Sequence, residues 1–128
     1  MKLVTFRIDQ EIYAIVVDSV RSIEKIQPIR PVPHAPAHVV GIMNLRGVVM
    51  TVADLRSILH FPQSDFTEET RLMVIGQTAY IVDEALDVLE ITEDRIEMRD
   101  ESSDLILGVL QGDNQLIVVL DDQSLMAS

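Results

Sequence analysis

Two stretches of this chain, GIMNLRGVVMTVADLRSIL (residues 41–59) and GVLQGDNQLIVVLDDQSLM (108–126), align without a gap at a constant offset of 67. Gly41/Gly108, Val52/Val119, Asp54/Asp121 and Ser57/Ser124 are identical pairs, and seven further pairs are apolar on both sides. Element order strengthens the match. LVTFRI (3–8) and IYAIVV (12–17) read as a hairpin, and RLMVIG with AYIV reads as its counterpart after residue 70. Asp18 and Asp83 end the two hairpins 65 residues apart. A repeat of that length is too long for a solenoid unit.

Each copy therefore has to build a small body from four or five short strands. Such a set can curl into a barrel, which removes exposed edges by closure. With 48% hydrophobic residues but only three Phe and two Tyr, the core must be aliphatic, and β-branched side chains favour strands. The expected fold is mostly β with a few short helices. It is one domain, residues 1–128, made of two similar small barrels of roughly 1–62 and 63–128 that share an aliphatic core, with a binding groove where they meet. PQSDFTEET (62–70) is the polar linker between the halves.

Smaller segments carry their own expectations. DSVRSIEKI (18–26) is predicted to start a short helix at Asp18, with Val20 and Ile23 on one side, and DEALDVLEI (83–91) is its counterpart. QPIRPVPHAP (27–36) holds four of the five prolines and is predicted to run extended and unpaired. TEDRIEMRDESSD (92–104) is the matching charged loop. Asp18, Asp54, Asp83 and Asp121 each stand where an apolar run stops, and helix capping is the expected role of all four.

One apolar run is interrupted in a suggestive way. If 41–53 is a hairpin, Met43 and Leu45 point to the core while Ile42, Asn44 and Arg46 share the other face. Gly47 suits a turn that needs positive φ. Asn44 and Arg46 are then presented outward on a rigid support, as an interface arginine or as a turn arginine bonded locally. In the second copy Asn44, Leu45 and Arg46 become Gln111, Gly112 and Asp113. The hairpin survives without the guanidinium, which favours a function for Arg46 beyond folding.

Charge and composition narrow the chemistry. The net charge is −11, with residues 1–60 at +2 and residues 61–128 at −13. No basic footprint for nucleic acid exists, and aromatic stacking platforms are lacking. There is no cysteine, so disulfide and thiolate chemistry are excluded. Lys2, Arg7 and Asp9 interrupt any signal-peptide pattern, and no apolar run is long enough to span a bilayer, so direct membrane insertion is not expected. His34 and His38 are separated by Pro36 and do not stack as a helical zinc pair. No nucleophile elbow, P-loop or dinucleotide fingerprint occurs. No catalytic, cofactor or metal residues are assigned, and a protein-binding module remains.

The stretch PHAPAHVVGIMNLRGVVMTVADLRSIL (33–59), with its Asn-Leu-Arg-Gly, apolar strand and Asp-Leu-Arg, resembles the CheW family of bacterial chemotaxis adaptors. AYIVDEALDVLEIT (79–92) and GVLQGDNQLIVVLDDQSL (108–125) are similar to that family's later segments. The resemblance implies two intertwined five-stranded, SH3-like β-barrels that exchange strands. It implies a cytoplasmic scaffold without catalytic activity or cofactor. Its partners would be the regulatory domain of the histidine kinase CheA and the cytoplasmic hairpin tip of a chemoreceptor, a methyl-accepting chemotaxis protein. Recruitment to membrane-bound receptor arrays would come through those partners. Carried over by motif, the receptor groove would use Val20, Ile23, Gly41, Asn44, Leu45, Arg46 and Gly47. A β-barrel binding a small molecule or metal, and a CheW-like adaptor of a non-chemotaxis kinase system, are the alternatives.

Overall fold

The computed structural model describes residues 1–98 and 104–127. Its strands are β1 (Lys2–Ile8), β2 (Glu11–Val16), β3 (Ser22–Lys25), β4 (Val39–Leu45), β5 (Val48–Asp54), β6 (Arg71–Ile75), β7 (Thr78–Val82), β8 (Glu84–Glu90), β9 (Glu97–Met98), β10 (Ile106–Gln111) and β11 (Leu116–Leu120). Two short helices, α1 (Leu55–Ile58) and α2 (Asp122–Ala127), follow β5 and β11.

The strands form two sheets, ordered β8-β1-β2-β11-β10-β9 and β3-β6-β7-β5-β4. Each sheet combines the opening hairpin of one repeat with the closing hairpin of the other. β2 joins β11 in parallel, and β5 joins β7 in parallel. The chain accordingly divides into one unit of Met1–Ser19 with Leu86–Ser128 and another of Val20–Ala85. Neither unit is one of the halves 1–62 or 63–128. The opening hairpins have been exchanged.

The repeat is kept to the level of single pairs. Met43 faces Met50 as Leu110 faces Ile117, and Gly41 faces Val52 as Gly108 faces Val119. Val52 lies beside Ala79 as Val119 lies beside Ala14. Both leading glycines sit at register irregularities, and both are sterically required. A Cβ on Gly41 would lie 2.2 Å from the Arg30 carbonyl oxygen, and one on Gly108 would lie 2.5 Å from that of Glu97. In each copy the long connection crosses against its Gly-led strand at that point.

The 27–36 segment is therefore not wholly unpaired. Arg30 bridges Ile42, with N–H to O distances of 2.8 and 2.9 Å in the two directions. Pro28, two residues before Arg30, and Pro31, directly after it, have no N–H to donate and keep the pairing short. In the charged connection the equivalent contact lengthens into β9, paired with β10, and residues 99–103 lie outside the described residues.

Residues 18–26 form no α-helix. A single 3-10 turn at Val17–Ser19 leads into β3, which pairs antiparallel with β6. Nine residues make a marginal helix, whereas the free edge of β6 satisfies backbone donors and acceptors at once. Residues 84–90 likewise extend as β8. Two of the four expected caps form. Asp54 accepts from the Arg56 N–H at 3.0 Å, and Asp121 accepts from the Gln123 N–H and the Ser124 hydroxyl, both at 3.1 Å. Asp18 begins no α-helix, and Asp83 accepts from the buried Arg56 guanidinium instead.

Each unit has its own aliphatic cluster. Met43, Leu45, Met50, Val52, Leu72, Val74, Ala79 and Ile81 form one. Leu3, Ala14, Ile91, Ile96, Leu110, Ile117 and Val119 form the other.

Candidate functional site

The β4–β5 hairpin turns on two residues, Arg46 at φ 52° and Gly47 at φ 88°. Positive φ at both central positions is the type I′ turn, whose twist matches that of paired strands. Glycine adopts it freely, but arginine does so against its preference. The Asn44 side-chain oxygen accepts from the Gly47 N–H at 2.8 Å and fixes the reversal. Asn44 thus has a structural task, while Met43 and Leu45 on the opposite face are buried.

Arg46 stands at the tip with 69% of its side chain exposed. Its guanidinium donates twice to Glu24, at 2.7 and 3.2 Å. This fork-to-carboxylate geometry aims a planar cation far better than a single contact does. Hydrogen bonding from Arg46, followed by that from Ser22, holds the Glu24 carboxyl below its ordinary range.

Glu24 belongs to β3 and Arg46 to the β4 hairpin, the opposite edges of one sheet. Laid flat, those edges would be about 19 Å apart at the usual strand spacing. The bidentate contact therefore requires the sheet to curl until its edges approach. Beside the tip is a cleft of about 210 Å³ lined by Arg21, Ser22, Leu45, Arg46, Val48 and Val74 among others. Arg21 also donates to the Gly76 carbonyl at 3.0 Å. On the other face of the hairpin, Pro28, Ile29, Ile42, Asn44 and Val49 line an open apolar hollow of about 560 Å³.

The seven expected site residues all fall in the Val20–Ala85 unit, but not at one point. Asn44, Leu45, Arg46 and Gly47 make the tip, with the Leu45 side chain buried beneath it. Ile23 is exposed next to Glu24, and strand alternation turns it to the other face of β3. Gly41 is at the far end of β4, and the Arg30 backbone accounts for it. Val20 is half-buried between the 3-10 turn and β3. Sequence reasoning missed Glu24 and Arg21, whose places depend on the curl of the sheet rather than on any local spacing.

Comparison with known proteins gives this geometry its context. Residues 2–128 match the CheW-like domain family model. The chain is 36% identical over 134 residues to the chemotaxis protein CheW of Bacillus subtilis, covering 98% of this chain and 86% of that one. It is 31% identical over 138 residues to a probable chemotaxis protein CheW of Rhizobium etli, covering 98% and 87%. The crystal structure of the scaffolding protein TtCheW from Thermoanaerobacter tengcongensis superposes with a TM-score of 0.86 at 24% identity, over 94% of this chain and 88% of that one. The chain belongs to the CheW-like domain family and is a chemotaxis adaptor.

Proposed function

We propose that this adaptor is non-catalytic and couples a chemoreceptor to the histidine kinase CheA. The receptor's cytoplasmic hairpin tip docks on the Val20–Ala85 unit around Arg46, with Asn44, Leu45 and Gly47 shaping the turn and Val20, Ile23 and Gly41 as further members of the surface. The regulatory domain of CheA binds elsewhere on the chain. The protein works in the cytoplasm and reaches membrane-bound receptor arrays through these partners. No helix among the described residues is long and apolar enough to cross a membrane.

The observation that carries the reading is an exposed guanidinium held bidentate on a strained turn. A turn arginine serving only the fold has no need of a second strand's carboxylate to aim it. An acidic or amide group on the visiting helix would meet donors already oriented, which reduces the ordering cost of binding.

Binding of a receptor cytoplasmic fragment and of the isolated CheA regulatory domain, measured by calorimetry for wild type and Arg46→Glu, tests this. The receptor fragment is expected to bind about tenfold more weakly or worse, as for an interface hot spot. CheA affinity and the melting temperature should hardly change. Equal receptor affinity in the two proteins would contradict the assignment, and so would equal loss of both partners.

A further inference from the structure

The two units repeat the cleft as well as the strands, and the second copy has different walls. At the repeat offset, Leu45, Arg46 and Met50 correspond to Gly112, Asp113 and Ile117. Val74 and Thr5 correspond as the antiparallel partners of Ala79 and Ala14. Ser22 pairs with Val74, and the Asp87 backbone is bound to the Thr5 hydroxyl at 3.0 and 3.1 Å in the same place. Around these residues the unit of Met1–Ser19 and Leu86–Ser128 holds a cleft of about 360 Å³, against about 210 Å³ beside Arg46.

Three substitutions between the copies account for the change. Gly112 removes the side chain that Leu45 supplies, and the turn enforces this, because a Cβ there would lie 2.7 Å from the Gln115 carbonyl oxygen. Leu86 stands where the first copy has Arg21. Asp113 replaces Arg46, so the charge at the tip is reversed.

The result is an apolar slot with an acidic rim. Ile12, Leu86, Leu89, Leu110 and Ile117 line it, and the Thr5 hydroxyl in its floor is already satisfied by the Asp87 backbone. The charged groups facing it are Asp87, Glu90 and Asp113 against Arg95, whose guanidinium donates to the Gln111 carbonyl at 3.3 Å. Asp113 has no ion-pair partner among the described residues, whereas Arg46 has Glu24. This unit carries four Lys/Arg against fourteen Asp/Glu, while the other carries six against seven.

We propose that this cleft is a second protein-docking site, taking from a partner protein a segment that inserts one apolar side chain flanked by lysine or arginine. The slot gains by burying the apolar group, and the rim selects the flanking cations by complementarity. The site is separate from the Arg46 surface and does not depend on it.

Amide spectra of the isotope-labelled full chain, titrated with the capped tripeptides Arg-Leu-Arg, Arg-Gly-Arg and Glu-Leu-Glu, provide the test. Arg-Leu-Arg is expected to give saturable shifts at Gly112, Asp113 and Gln115, and to bind about fivefold more tightly than either other peptide, the factor that roughly 1 kcal/mol provides. Asp113→Arg, an exposed turn substitution that recreates the charge of the first copy, should move the preference toward Glu-Leu-Glu. No saturable shift at these amides, or shifts confined to the Arg46 turn, would overturn the proposal. Equal binding of Arg-Gly-Arg would also overturn it, as would an unchanged preference in Asp113→Arg.

Discussion

Arg46 shows how much positional information one residue can hold. Its backbone adopts a conformation that arginine disfavours, and its head group is held by a carboxylate 22 residues earlier. The outward direction of Asn44 and Arg46 was legible from strand alternation alone. Glu24 was not, because the curl of a five-stranded sheet brings it to the tip. The pair has a pH signature. Arg46, then Ser22, lowers the Glu24 pKa in the folded chain. Any stability it contributes is complete above the ordinary carboxylate value and is lost as pH falls through the lowered one. In Arg46→Ala the Glu24 carboxyl should titrate closer to its ordinary value, as read from its side-chain carbon resonance. A midpoint identical to that of wild type would mean that the ion pair does not form in solution.

At the level of elements, the Gly-led strands are the most constrained parts of the fold. Gly41 and Gly108 allow a neighbouring backbone to cross closely, and their equivalence in the repeat was visible before their steric reason was. Gly41→Ala is expected to cost about 1–3 kcal/mol, because the obstructing atom is a carbonyl oxygen and not a mobile side chain. Gly108→Ala should cost a similar amount, and urea unfolding of both variants measures it. A neutral Gly41→Ala would show that Arg30 does not bridge Ile42. The segment 18–26 was misread for a related reason. Val20 and Ile23 lie at a helix-like spacing behind Asp18, but the open edge of β6 decided the conformation. The true alternation, Ser22 and Glu24 against Ile23 and Lys25, spans only four residues and was too short to overrule that spacing. The β hairpins, with longer alternating runs and turn residues at the right places, were readable.

Across the whole molecule, the exchange of opening hairpins makes each unit depend on both repeats. Ties between side chains reinforce it. Within the Val20–Ala85 unit, Arg56 of the first repeat's helix pairs with Asp83 of the second repeat and donates to the Pro62 carbonyl at 2.8 Å. Within the other unit, the Ser19 hydroxyl donates to Asp122 at the start of α2. The side chains of Arg56 and Asp83 are only 8% and 17% exposed, so Arg56→Ala removes the guanidinium that pairs with a largely buried carboxylate. A loss of about 3 kcal/mol in urea unfolding is expected, and a loss typical of a surface site would place the pair in solvent. The repeat was legible in the chain, including its register. The exchange was not legible in the repeat pattern, since an identical series of strands could close either within a repeat or across it, and only the family resemblance implied it. The exchange also sorts the charge, leaving one unit nearly neutral around Arg46 and the other strongly acidic. The most direct test of the central claim is an amide-shift map of the isotope-labelled chain with an unlabelled receptor cytoplasmic fragment. The account predicts that the largest shifts fall on Asn44, Arg46, Gly47 and the β3 residues beside Glu24. Perturbations that leave this hairpin untouched and gather in the acidic unit would contradict it.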